Sequence, residues 1–287
     1  MENVPLENLP LENLQRVPAY DYAASVEQVD PDNPRWNVFG GIGTWIGSVV
    51  LLFLISLIAL AIMYVVHPLP AVPDTTDYEA GKAAITKWGM SPPVVLVVHV
   101  GGTFIAHLLT IALCWAVATK FGKYSFREAI GWEWNASKFV KVGVVVGVVL
   151  GAVLLLQFLP KFIPETTETP FQEILKSSAA VRYAMAVMAV LTAPLTEELV
   201  YRGLLYSPLK PAVGIVGAVT IPTLLFAIVH VPQYWGAWAS LTGLLLLSLA
   251  LTITRAKTKS IYPCVAIHTL FNLIGAIGIV WSGGKTE

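Results

Sequence analysis

Residues 45–63 read Trp45-Ile46-Gly47-Ser48-Val49-Val50-Leu51-Leu52-Phe53-Leu54-Ile55-Ser56-Leu57-Ile58-Ala59-Leu60-Ala61-Ile62-Met63, without one charged side chain. With its flanks the apolar run extends from Gly41 to Val66. About 20 apolar residues in helical form cross a hydrocarbon core of ~30 Å. A soluble α/β domain with long buried helices produces one or two runs of this kind. Here six more follow: Pro93–Thr119, Phe139–Leu159, Arg182–Val200, Val213–Val231, Trp235–Thr254 and Ile261–Trp281. The expected fold is therefore all-α, a polytopic transmembrane helix bundle of about seven spans and an integral, multi-pass membrane protein.

Composition agrees. Of 287 residues 56% are apolar and 13% charged, against about 25% charged in a soluble domain. Mean hydropathy is +0.69. These values exclude a disordered chain, a collagen-like or coiled-coil rod, and a nucleic-acid binder held by basic charge. Lys plus Arg equals Asp plus Glu at 18 each, so net charge points to no polyanionic partner. Cys114 and Cys264 lie far apart in apolar surroundings and read as buried small hydrophobes.

Three regions follow. Residues 1–40 are polar, with Pro5-Leu6-Glu7-Asn8-Leu9 echoed by Pro10-Leu11-Glu12-Asn13-Leu14, and read as a mobile tail rather than a secretory signal. Residues 41–160 hold the N-terminal transmembrane helices, and residues 180–281 a C-terminal core. Trp45, Tyr64, Trp132, Trp134, Trp235 and Trp281 stand near span ends, where aromatic belts form or side chains simply pack. With a cytoplasmic N-terminus, twelve basic residues fall on inside segments and six on outside ones, with Arg202 and the basic loop Arg255–Lys259 counted inside. The positive-inside rule then favours a cytoplasmic N-terminus.

The carboxylates are unevenly placed. Between Glu173 and Glu287 there are two, Glu197 and Glu198, near the end of the fourth apolar run. A charge at mid-membrane costs roughly 2.5–3.5 kcal/mol on insertion scales, so two adjacent ones need a reason. One is an interfacial cluster that snorkels into headgroups. The other is a polar site facing the bundle interior. Glu198 and Arg202 are i,i+4 and can pair. Glu197 points about 100° away, which leaves it free for proton transfer. Arg202 bridging both carboxylates is the alternative. His230 closes the fifth run, four residues after Phe226, and His268 stands in the seventh, four residues before Asn272. The last spacing puts His268 and Asn272 on one helix face, and both can donate to a developing oxyanion. His67, His99 and His107 have no partner chemistry in the sequence and read as structural.

Glu197-Glu198-x-x-x-Arg202, Phe226-x-x-x-His230 and His268-x-x-x-Asn272 occur in that order on three separate apolar runs. In this the chain resembles the CPBP family of intramembrane proteases, also called the Abi or CaaX-protease family. That family includes the Ras-converting CaaX endopeptidases and bacterial lysostaphin-resistance and bacteriocin-immunity proteins. The resemblance covers roughly residues 180–281 and shows no departure at the named positions. It implies motif helices around a cavity. It implies that Glu197 with His230 activates a water for attack on a peptide carbonyl. His268 and Asn272 would stabilise the oxyanion, Glu198 and Arg202 would hold the first motif helix, and Phe226 would line the cavity. The expected partners are the lipid bilayer and a membrane-associated peptide or protein, with a lipidated CaaX-like peptide as the precedent. No nucleic acid and no cofactor are expected.

Two other readings compete. In the first, zinc is held by Glu197, His230 and His268, although the chain has no HExxH. In the second, the protein is a non-catalytic membrane immunity or scaffold protein whose polar cluster only locks helices. A transporter or proton relay would also bury Glu and His, but no internal repeat supports it.

Overall fold

The computed structural model describes residues 30–70, 77–133 and 168–283, together with Gly143, Gly147 and Gly151. The described residues are helical and hold no strand. The main helices are α1 (Val38–Val66), α2 (Tyr78–Gly89), α3 (Thr103–Thr119), α4 (Ala179–Leu191), α5 (Ala193–Glu198), α6 (Tyr206–His230), α7 (Trp238–Thr258) and α8 (Tyr262–Gly283). Two π-helical segments, Leu96–Gly102 and Leu199–Leu205, run directly into α3 and α6.

Five helical runs are long and apolar enough to cross a membrane: Val38–Val66, Pro92–Thr119, Ala179–His230, Trp238–Thr258 and Tyr262–Trp281. The first, second, sixth and seventh predicted spans each appear as one run. The third, Phe139–Leu159, lies outside the described residues apart from Gly143, Gly147 and Gly151. The fourth and fifth are joined in a run of 52 residues. A straight helix of that length would reach about 78 Å, more than twice a hydrocarbon core of ~30 Å. The run is broken accordingly. Pro194 opens α5 behind an interruption at Thr192, because proline lacks the N–H that would continue the ladder. Gly214 has φ 73 and ψ 177, a left-handed backbone that glycine adopts without steric cost.

The bundle is apolar outside, and its apolar core encloses a few buried polar side chains. α1 buries only Gly41, Thr44, Ala59 and Met63, while Phe53, Leu57 and Val65 face outward, as lipid-facing residues do. The π-helical segment Leu199–Leu205 is buried along its whole length. It lies in a core that includes Trp36, Cys114, Ile130, Leu204, Phe226 and Ile261.

Two expectations change at the N-terminal end. Of the polar stretch 1–40, the described part is packed rather than loose: Asp32 and Trp36 are buried before α1 begins. The predicted basic loop Arg255–Lys259 is helix as far as Thr258, and Arg255 is fully buried. Arg182, counted in a loop, is buried, and so is Arg202, whose pairing with Glu198 the spacing predicts. Asp32 pairs with Lys210 at 2.5 Å, Asp30 with Lys259 at 3.2 Å, and the Arg35 guanidinium lies 3.9 Å from the Tyr124 ring centroid. Residues 30–35, the turn after α3, Lys210 and Lys259 therefore share one end of the bundle.

Candidate active site

The helix carrying the glutamate pair reaches Arg202 through a π-turn, which keeps residues four apart on neighbouring positions. Arg202 Nη1 donates to Glu198 Oε1 at 2.8 Å, and both side chains are fully buried. The guanidinium is saturated by α7. Its Nε donates to Thr252 Oγ1 at 3.2 Å, and Nη2 donates to the Ser248 carbonyl at 2.8 Å and Ser248 Oγ at 2.7 Å. Ser248 and Thr252 stand i,i+4 on α7 and form a polar cradle that the sequence reading did not identify. They were legible only as two hydroxyl residues one turn apart in an apolar span.

Glu198 Oε1 also takes His268 Nδ1 at 2.8 Å. Since that oxygen accepts, His268 carries its proton on Nδ1. His268 Nε2 faces the other carboxylate, 3.7 Å from Glu197 Oε2. A proton on either Nε2 or Glu197 makes this approach attractive. His268 thus lies between two glutamates, one paired with Arg202 and the other half-buried. The second oxygen of Glu198 is buried with no hydrogen-bond partner among the described residues.

Phe226 is the apolar centre of the cluster. Its ring centroid is 4.6 Å from that of His230, 5.9 Å from that of His268 and 5.2 Å from that of Tyr201. The Arg202 guanidinium lies 5.2 Å from the same centroid, within cation–π range. His230 Nδ1 donates to the Phe226 carbonyl at 2.7 Å, since a carbonyl can only accept. Neutral His230 therefore presents Nε2 as a base. Asn272 does not share the contacts of His268. Its Nδ2 donates to the Ala189 carbonyl at 2.8 Å and ties α8 to α4.

Besides Ser248 and Thr252, three further residues were missed or given no part in the site. His107 Nδ1 hydrogen-bonds Thr192 Oγ1 at 2.9 Å, at the helix break ahead of the glutamates, and lies within reach of the charge of Glu197. Trp45, read as either a belt or a packing residue, donates to the Tyr201 hydroxyl at 3.2 Å. Tyr234, in the turn after His230, is half-buried. Burial pushes its phenol up to about 12, and the charge of Glu197 adds to the rise. The signal at His107 was its position eight residues after His99, on one face of a span. No pattern pointed to Tyr234. His99 lines an apolar groove of about 380 Å³ with Phe53, Leu57, Leu60, Met90 and Val98. That groove holds none of the motif residues.

Among the described residues no group of three His, Cys, Asp or Glu side chains converges as a metal site. Glu198 Oε1 is already shared by two donors, and the adjacent guanidinium opposes a cation. Glu197, His230 and His268 are not gathered as such a group in this structure.

No curated protein matches the chain, and no solved structure does. Residues 179–274, which contain Glu197, Glu198, Arg202, Phe226, His230, His268 and Asn272, match the family model described as type II CAAX prenyl endopeptidase Rce1-like, a match consistent with the CPBP family.

Proposed function

We propose that this protein is an intramembrane endopeptidase that hydrolyses a peptide bond of a membrane-associated, CaaX-like lipidated substrate with water as the nucleophile. One observation carries the reading. In an apolar bundle one oxygen of Glu198 takes both Arg202 and His268, while Glu197 remains half-buried beside His268. A structural lock needs only Glu198.

In this reading Glu197, with His230, draws a proton from water as the oxygen attacks the carbonyl carbon. The carbonyl π pair moves onto its oxygen. That oxyanion accepts the second N–H of Asn272 and the Nε2–H of His268, which donates there when the ring carries a proton on each nitrogen. Collapse of the tetrahedral intermediate breaks the C–N bond, and the proton held by Glu197 passes to the leaving amine. No covalent intermediate forms and no residue is consumed. Glu198 keeps the Nδ1 proton of His268 in place, so that Nε2 is the nitrogen aimed at the reaction. The N-terminus is assigned to the cytoplasm. Discounting the buried Arg182, Arg202 and Arg255 leaves the charge bias in the same direction.

The test is cleavage of fluorogenic lipidated peptides by the purified full chain in liposomes, with wild type, Glu197→Ala and His230→Ala each run with and without a strong chelator. The reading requires cleavage by wild type, its loss in both variants, and indifference to the chelator. Chelator-sensitive cleavage restored by zinc overturns the metal-free chemistry. A stable wild type that cleaves no peptide overturns the peptidase reading in favour of a scaffold.

A further inference from the structure

Arg255 is fully buried, yet its guanidinium makes no hydrogen bond to a side chain of the polar site. Its Nε donates to the main-chain carbonyl of Arg202 at 3.1 Å. Its Nη1 donates to Asp32 Oδ1 at 2.8 Å, and its Nη2 to the Pro31 carbonyl at 2.9 Å and to Ser207 Oγ at 3.1 Å. A buried cation without a counter-charge is strongly destabilising. Asp32 supplies that charge, although it stands in the polar stretch ahead of the first span.

A second tie runs the same way. Pro208 has no N–H, so the Leu204 carbonyl lacks its α-helical donor. Trp36 Nε1 fills the position at 2.8 Å. α1 lies flush against the same carbonyl, because a Cβ added at Gly41 would sit 2.8 Å from it. Both captured carbonyls, those of Arg202 and Leu204, belong to the π-helical segment Leu199–Leu205. That segment carries the guanidinium that holds Glu198, and Glu198 holds His268.

We infer that residues 31–36 form a strap that fixes this π-helical segment, and that Asp32 and Arg255 are positioning residues for the Glu198–His268 contact, acting through the main chain of Arg202. Asp32 lies outside residues 179–274, so the matched segment does not contain the counter-charge of its own buried arginine. The effect on rate rests on the proposed peptidase reading; the effect on His268 does not.

The experiment uses the full chain in nanodiscs. Histidine is labelled with ¹⁵N, and the His268 ring resonances are assigned with His268→Gln. Asp32→Ala, Asp32→Glu, Arg255→Lys and Trp36→Phe are compared with wild type for the His268 Nδ1 signal, for kcat and KM against pH, and for thermal unfolding. Asp32→Ala should shift the Nδ1 signal and lower kcat roughly 10–100-fold, the scale of a small misplacement of reacting groups, with KM within about twofold. Asp32→Glu should recover most of both. A folded Asp32→Ala that unfolds earlier but keeps the wild-type His268 signal and pH profile overturns the inference, because the strap then contributes stability alone. If Asp32→Ala does not fold, Trp36→Phe removes one donor and keeps a ring, and it is judged by the same two readouts. If wild type cleaves no peptide, the peptidase reading falls while the His268 signal still decides the strap.

Discussion

His268 Nδ1 and Glu198 Oε1 are joined at 2.8 Å across 70 residues of sequence, on the same oxygen that takes Arg202. That oxygen is the junction between the first and last motif helices. Removing Arg202 leaves a buried carboxylate with one donor in place of two. Breaking a buried pair from one side costs about 3–5 kcal/mol, so Arg202→Ala should destabilise the protein on that scale in thermal or denaturant unfolding. Arg202→Lys keeps the charge but not the planar fork that reaches Thr252 and Ser248, and should recover only part. If Arg202→Ala unfolds within about 1 kcal/mol of wild type, the pair does not lock the bundle.

The two adjacent glutamates should separate under isosteric change. Glu197→Gln removes the carboxylate proposed to move the proton, while its surroundings tolerate a half-buried amide. Cleavage should fall by a factor on the order of 10²–10⁴, the usual worth of general acid–base catalysis, with thermal unfolding little changed. Glu198→Gln removes the charge opposite a fully buried Arg202 and should lower stability and activity together. Peptide cleavage and melting run on the same two preparations decide this. Equal behaviour of the two variants would sink the assignment of separate roles.

The contrast between these glutamates shows what could be read from the sequence. Helical spacing gave the Glu198–Arg202 pair, and that pairing survives the π-turn because residues four apart stay adjacent in either helix. The partnership of His268 with both carboxylates joins positions far apart in the chain, so no periodicity contains it. Spacing also put Asn272 on the helix face of His268, whereas its amide reaches Ala189, because a carbonyl freed on a closely packed neighbouring helix is within reach of even a short side chain. Arg255 read as the start of a basic loop from local composition. Its burial depends on Asp32, over 200 residues earlier, and a charge neutralised at that distance looks exposed in sequence. Membrane-length apolar helices were legible because lipid demands apolar length, and five such runs stand among the described residues; the fourth and fifth predicted spans are joined in one helical run because the residues between them stay helical, which hydropathy does not register.

The strap should respond to acid. Asp30 is held below the ordinary aspartate range, first by the Asp32 backbone N–H and then by the Lys259 ammonium, with Lys210 adding a smaller pull and burial opposing. A carboxyl whose folded value is depressed stabilises the folded state above its unfolded value and loses that contribution as pH falls through the folded one. Hydrogen-exchange protection of residues 30–36 should therefore hold at neutral pH and decline below about pH 4. Asp30→Asn should weaken protection at neutral pH and flatten the acid slope. Because Asp30 is half exposed, high salt should mimic part of the substitution. A wild-type slope unchanged by Asp30→Asn would assign the acid response to another group.

Gly41 and Gly43 stand two residues apart on α1 and provide a paired test of how closely the first span packs on the motif helix. A Cβ at Gly41 would lie 2.8 Å from the Leu204 carbonyl oxygen and 3.0 Å from Pro208 Cγ, while a Cβ at Gly43 would meet nothing within 4 Å. The obstruction at Gly41 is main chain and a proline ring, neither of which can rotate away. Gly41→Ala must push α1 off the π-helical segment, at about 1–3 kcal/mol for an overpacked contact, and should lengthen the Trp36–Leu204 hydrogen bond as it does so. Gly43→Ala faces open space and replaces glycine inside a helix, which should be neutral or favourable by up to about 1 kcal/mol. Thermal unfolding of the two variants in one lipid system measures the difference, and Trp36 indole exchange reports the hydrogen bond. Equal stability of the two would mean that α1 tolerates displacement, and the tie from Trp36 to the buried motif helix would then be loose.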